Sequence, residues 1–153
     1  MSLIFGQTQK QLLVIVPRFI IDAYEKLTGS TAPCFEYDAN HYICNLGTVY
    51  TNAIVLNFDA VIPFLLYAFL MEEEVAKEFK QIERDFMYVI NELKRLTHES
   101  KPFQEKVMEL MNELNKAQMS SGSPINISNV IKKPSIREKI RNLFNMLKAA
   151  IKR

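Results

Sequence analysis

The chain has no tryptophan, and among 153 residues only four glycines, two histidines and two cysteines. Each scarcity removes a class of answers. The glycines, Gly6, Gly29, Gly47 and Gly122, stand alone, so neither a P-loop nor a dinucleotide fingerprint can be assembled from them. Few glycines also argue against a fold of many tight turns and for helices. Two histidines, His41 and His98, define no Ser-His-Asp or Cys-His relay. Cys34 and Cys44 do not make the disulfide framework of a small secreted domain. They could face each other across a hairpin. They read as two small buried hydrophobes, with a disulfide as the alternative, because free cysteine is usually buried and intracellular disulfides are mostly confined to hyperthermophiles.

A secretory leader, a charged stretch followed by an apolar one and a cleavage site, is also missing from the reading. The most apolar run, Ala53 to Met71, contains Asn57, Asp59 and Pro63. Those residues penalise a membrane span, so the run reads as a strand followed by a buried helix. The expectation is a cytoplasmic protein with no membrane partner. At this length one domain over 1–153 is expected.

What is present in quantity is helical periodicity. Val75, Phe79, Ile82, Phe86, Val89, Leu93 and Leu96 step by 4, 3, 4, 3, 4, 3, a heptad seam on one long helix. After a break at Ser100-Lys101-Pro102 the pattern resumes at Phe103, Val107, Leu110, Leu114 and Ala117. The segment Glu74 to Met119 therefore reads as an antiparallel helical hairpin.

The block Leu12 to Val16 is continuously apolar and Pro17 interrupts it. Phe19, Ile20, Ala23, Tyr24 and Leu27 then take helical spacing, with Gly29 as a C-terminal cap. The spacing predicts helix over most of 8–28, kinked at the proline. Residues 32–58 change character. Phe35, Tyr37, Tyr42, Ile43, Val49, Tyr50, Ile54 and Val55 suit a pleated surface, and Asp38-Ala39-Asn40 and Asn45-Leu46-Gly47 are turn signals. Two or three short antiparallel strands follow, packed on a helix. That helix is Ala60 to Met71, apolar nearly all round, with Asp59 as N-cap.

Ser120 to Pro124 reads as a flexible linker, and 120–134 as the connection to a last helix. In that helix Ser135 and Glu138 match a capping box, and Ile136, Ile140, Leu143, Leu147 and Ile151 form an apolar stripe. The fold class is thus mainly α (α+β): four or five helices, a long helical hairpin and a small antiparallel β-hairpin or three-stranded sheet.

Catalytic chemistry finds little footing. Cys34, Asp38, His41 and Cys44 are close in sequence but lack the short Cys-x-x-Cys spacing that fixes zinc, so no metal and no cofactor are expected. His98 at a helix end favours the helix dipole. Glu72, Glu73, Glu74, Glu78, Glu83 and Asp85 read as a solvated acidic face. No enzyme activity is expected.

Charge carries more information. Residues 130–153 hold eight Lys and Arg against one acid, whereas 1–129 hold eleven against sixteen. Such asymmetry suggests an anionic partner for the tail, or a tail that docks on the acidic body. Lys132, Lys133, Arg137, Arg141, Lys148, Lys152 and Arg153 are the candidate nucleic-acid-binding residues, neutralising phosphates with little sequence preference. Docking of the apolar stripe on the hairpin is compatible with that role.

In outline the chain resembles the small α-helical subunits of archaeal CRISPR surveillance complexes. The features concerned are the hairpin Glu74 to Met119, the β-like Ala32 to Phe58 and the basic Ser135 to Arg153. The resemblance implies a non-catalytic subunit of an antiviral effector complex that helps hold guide or target strands. The acidic character of 1–129 departs from a strongly basic RNA-binding surface. The function expected is a non-enzymatic subunit of a nucleoprotein assembly, contacting RNA or single-stranded DNA through the basic helix and protein through exposed parts of the seam. The alternative is a self-associating structural or protein-interaction module, such as a viral or scaffold protein, in which the seam makes a homo-oligomer.

Overall fold

In the computed structural model, which describes residues 10–122 and 124–152, the first described element is a strand where a helix was expected. β1 (Lys10–Pro17) buries Leu12, Val14 and Val16 on one face, and Leu13 and Ile15 are half-buried on the other. A continuous apolar run fits a central strand covered on both faces as well as it fits a buried helix. Here β-branched Val14 and Ile15 sit between two partner strands, which decides it. Pro17 ends the strand, where its missing N–H costs least, and starts α1 (Arg18–Thr28). That helix closes on Gly29, whose φ of 72° is the left-handed cap its sequence position suggests. Residues 8 and 9 of the expected helix lie outside the described residues.

β2 (Cys34–Asp38), β3 (His41–Val49) and β4 (Ile54–Leu56) then form the expected antiparallel set. The first turn signal is correct: Ala39 and Asn40 turn the chain from β2 to β3, with the Asn40 amide donating to Asp38 Oδ1 at 2.8 Å. The second is not a turn. Asn45-Leu46-Gly47 lies within β3, where the register against β1 slips between Leu12↔Gly47 and Leu13↔Asn45. Leu46 is the extra residue of a β-bulge. Asn45 Oδ1 accepts from the Gly47 amide at 3.0 Å, so the local bonding of a turn residue serves a bulge instead. Gly47 also permits close approach to β4: a Cβ there would meet the Val55 carbonyl oxygen at 2.4 Å.

The sheet has five strands in the order β2-β3-β1-β5, with β4 also on β3, and it is larger than the three strands expected. β5 (Ile125–Asn126) runs parallel to β1 and comes from the stretch read as a linker, which also supplies the short α6 (Ile127–Val130). Beyond the reach of β5, the Gln118 side chain continues the edge of β1. Its amide donates to the Gln11 carbonyl and its oxygen accepts from the Leu13 N–H, both at 2.9 Å. This buried glutamine satisfies two backbone groups that would otherwise be stranded.

α2 (Phe58–Met71) is the central helix, with nine of its residues buried from Ala60 to Phe69. Asn57, not Asp59, occupies the N-cap, and Asp59 falls in the first turn. The long heptad helix is two helices, α3 (Glu73–Ile82) and α4 (Phe86–Glu99). Asp85 caps α4 by accepting from the Tyr88 amide at 3.1 Å. The break is silent in the periodicity because Ile82 and Phe86 keep the four-residue step across it. The hairpin turn behaves as read: Ser100 accepts from the Phe103 amide, and α5 (Lys101–Ser121) starts with Pro102 in its first turn.

The seam is interior except at the break between α3 and α4, where Ile82 and Phe86 are half-buried. Val75, Phe79, Val89, Leu93 and Leu96 are buried, as are Phe103, Val107, Leu110, Leu114 and Ala117. α7 (Pro134–Ile151) closes the core with Ile136, Ile140, Leu143, Phe144, Leu147 and Ala150. Its capping box does not form. Lys133 is the N-cap, Pro134 takes the first helical position and Ser135 the second, so the serine sits two positions past the cap. The α+β class with a helical majority holds, with seven helices among the described residues.

Candidate functional site: the face of the last helix

Three aromatic rings fix α7 in place. Phe144 lies edge-on to Phe69 of α2 at 5.4 Å and to Phe79 of α3 at 6.1 Å, and those two meet at 5.6 Å. With its apolar stripe buried, the helix presents its cations sideways and outward. Their fates differ.

Arg141 faces the elbow between α2 and α3. Its Nε donates to Glu72 Oε1 at 3.0 Å and its Nη2 to Glu72 Oε2 at 3.4 Å. Glu72 is buried, and the same Oε1 accepts from the Glu74 and Val75 amides at 3.1 Å. One carboxylate thus caps α3 and anchors α7. Burial opposes its ionisation, but the Arg141 hydrogen bond and the two amides outweigh burial and hold the carboxyl below the usual carboxylate range. Lys148 donates from Nζ to Glu78 Oε2 at 2.7 Å. Lys139 contributes its charge to Glu113, whose carboxyl is also lowered: burial opposes, and hydrogen bonds from Lys116 and Ser135 prevail. The Glu72-Glu73-Glu74 triplet, read as a solvated face, therefore contains the principal partner of the basic helix. The stripe of one helix and the acids of another were both visible, but nothing in the linear chain pairs positions 69 residues apart.

Lys132 and Lys133 are exposed at the corner between α6 and α7. Lys132, Arg137 and Arg141 come together in a notch of about 380 Å³ with Glu72, Glu73 and Glu74. Lys133 points elsewhere, into a hollow of about 250 Å³ with Ser121, Pro124, Asn126 and Asn129. Lys152 is exposed at the far end of α7, and Arg153 lies outside the described residues. Of the described candidates, Lys132, Lys133 and Arg137 lie about the start of α7 and Lys152 at its end, with Arg141 and Lys148 tied down between them.

The cysteines are bonded. Cys34 and Cys44 sit directly opposite each other on β2 and β3, and their sulfurs form a disulfide, against the reading as free buried thiols. They are unavailable to a metal, and His41 instead meets Asp38, Nδ1 to Oδ1 at 2.9 Å. Among the described residues no group of three His, Cys, Asp or Glu is placed to hold a metal ion. His98 stays at the end of α4, its Nδ1 2.8 Å from the Lys94 carbonyl oxygen. No helix among the described residues is long and apolar enough to cross a membrane. Compared with known proteins, the chain matches no family model, no curated protein and no solved structure.

Proposed function

We propose that this chain is a non-enzymatic subunit of a nucleoprotein assembly, and that it contacts nucleic-acid phosphates at the α6–α7 corner. The observation that carries this reading is that Lys132 and Lys133 are both exposed at the corner between α6 and α7, with Arg137 within six residues of Lys132 in the sequence. Exposed positive charge suits a backbone that is held without base readout. Arg141 and Lys148 leave the phosphate set, because Glu72 and Glu78 engage them; their work is to hold α7. Lys152 and Arg153 form a second, weaker contact at the other end. The CRISPR small-subunit resemblance supplies the context, a cytoplasmic antiviral effector complex; β1 and β5 are a departure from its outline. Protein contacts within the assembly would use mainly surfaces other than the heptad seam, of which only Ile82 and Phe86 are half-buried and the rest is buried.

The test is binding to single- and double-stranded oligonucleotides over a salt series. The wild type is compared with Lys132→Ala/Lys133→Ala/Arg137→Ala and with Arg141→Gln. Removing three phosphate contacts should flatten the log-affinity against log-salt slope by about 2 on a single strand, while Arg141→Gln leaves the slope unchanged. Absence of binding at low salt ends the nucleic-acid reading. A protein-interaction module is the second reading, favoured by Phe35 and Tyr37, which are 54% and 53% exposed on the edge strand β2.

A further inference from the structure

Cys34 and Cys44 are the only cysteines of the chain, and they are joined across β2 and β3 with Cα atoms 4.1 Å apart. The strand this bond holds has little else to hold it. β2 lies at the edge of the sheet and its one strand partner is β3. Four of its five residues are exposed, so it buries almost no apolar surface. Short strand pairs with so little burial are marginal in water. Beyond the ladder, its far end is tied by Arg18, whose guanidinium donates to the Ala39 carbonyl, the Tyr42 hydroxyl and the Glu36 carboxylate. At the near end the disulfide is joined by the Asn45 amide donating to the Pro33 carbonyl at 3.0 Å, and the chain just before β2 is held by the Ala32 amide donating to Glu25 Oε2 at 2.7 Å.

The rest of the core does not depend on this strand. β1, α2 and α7 bury their side chains against one another on the other side of β3 or beyond it. The loop that the bond closes is short, ten residues in sequence separation, and the β2–β3 turn already closes it. A bond over a longer loop would restrain the unfolded chain more; in the folded chain what this one holds is β2 against β3.

We propose that the Cys34–Cys44 bond is a redox latch: oxidised, it keeps β2 on the sheet; reduced, it lets β2 leave β3 while the remaining fold stays intact. The two residues differ in access: Cys44 is fully buried and Cys34 is half-buried against the core. A thiolate of an external dithiol attacks Sγ of Cys34, forms a mixed disulfide and expels the Cys44 thiolate, which takes up a proton. The second thiol of the reductant then displaces Cys34. Two electrons pass to the protein, two cysteine thiols result, and the reductant leaves as its own disulfide. Departure of β2 uncovers Ile43, which is opposite Phe35, and turns residues 41–44 of β3 into a sheet edge with unpaired N–H and C=O groups. The inference stands apart from the nucleic-acid reading and survives its failure.

Amide hydrogen exchange on the full chain tests it, oxidised and after dithiothreitol without denaturant, with alkylation and mass measurement to count thiols. The expected result is two thiols alkylated after dithiothreitol. Exchange should then be at least about tenfold faster across 34–38, with β1, α2 and α7 unchanged. The double variant Cys34→Ala/Cys44→Val, in which valine refills the buried site, should show the reduced pattern without reductant. Protection of β2 that persists in the reduced chain or in the double variant overturns the latch. So does protection lost across β1 and α2 together with β2, which would make the bond a staple of the whole fold. A bond that dithiothreitol cannot reduce in the native chain overturns it as well.

Discussion

At the scale of single residues, burial and hydrogen bonding decide which polar groups matter. Tyr24 is 1% exposed and its hydroxyl has no partner among the described residues. Burial, helped by the nearby charge of Asp59, pushes its ionisation up to about 12. A buried hydroxyl without a partner costs about 1–3 kcal/mol. Tyr24→Phe should therefore leave stability unchanged or raise it by about 1 kcal/mol, measured by urea denaturation; a clear loss would mean that the hydroxyl is bonded after all. Tyr24 was legible as a helix-face residue from the spacing of Phe19, Ile20 and Ala23, though Phe19 itself is exposed. The orphaned hydroxyl was not legible, since only neighbouring elements could have supplied its partner.

Between elements, the decisive contact is Glu72 with Arg141. Its folded carboxyl lies below the ordinary range, so the stabilisation it brings is present above the unfolded pKa and is lost as pH falls through the folded value. Glu72→Gln keeps an oxygen for the α3 amides but loses the ion pair, so it should be less stable than wild type at neutral pH. The gap should close as pH drops below the carboxylate range, in melts run as a pH series. Glu72→Ala also removes the cap, which by itself costs about 1 kcal/mol. A gap that does not change with pH would place the role of Glu72 in packing alone. The elements themselves were partly legible. α1, α2, α5, α7 and the β2–β3 turn follow local signals of spacing, proline and glycine. β1 did not, because a five-residue apolar run carries no period of its own. β5 and α6 did not, because two paired residues after a Ser-Gly-Ser-Pro stretch resemble a linker until β1 lies beside them.

For the whole molecule, the last helix is structural whatever else it does. Five large apolar side chains of α7 are buried, each worth about 1.5–3 kcal/mol. Their sum rivals the total stability of a typical domain. A chain ending at residue 130 should therefore lose cooperative thermal unfolding by circular dichroism, and charge substitutions are the proper probe of binding. A folded, cooperative 1–130 fragment would show that α7 is an addition to an independent core. The sequence by itself determined the helical majority, the strand-rich 32–58 region, the buried α2 and the burial-ready stripes, because these rest on spacing within a few residues. It also determined that a basic tail and an acidic body share one chain. Only the tertiary structure decided that the two halves meet through Glu72, Glu78 and the Phe69–Phe79–Phe144 cluster, that Cys34 faces Cys44, and that Gln118 closes the edge of β1. Most of those contacts join residues distant in sequence, and pairwise geometry across a fold has no local signature for a linear reading to find; the cysteine pair is the exception, since a hairpin could be read between Cys34 and Cys44 but not whether their sulfurs bond.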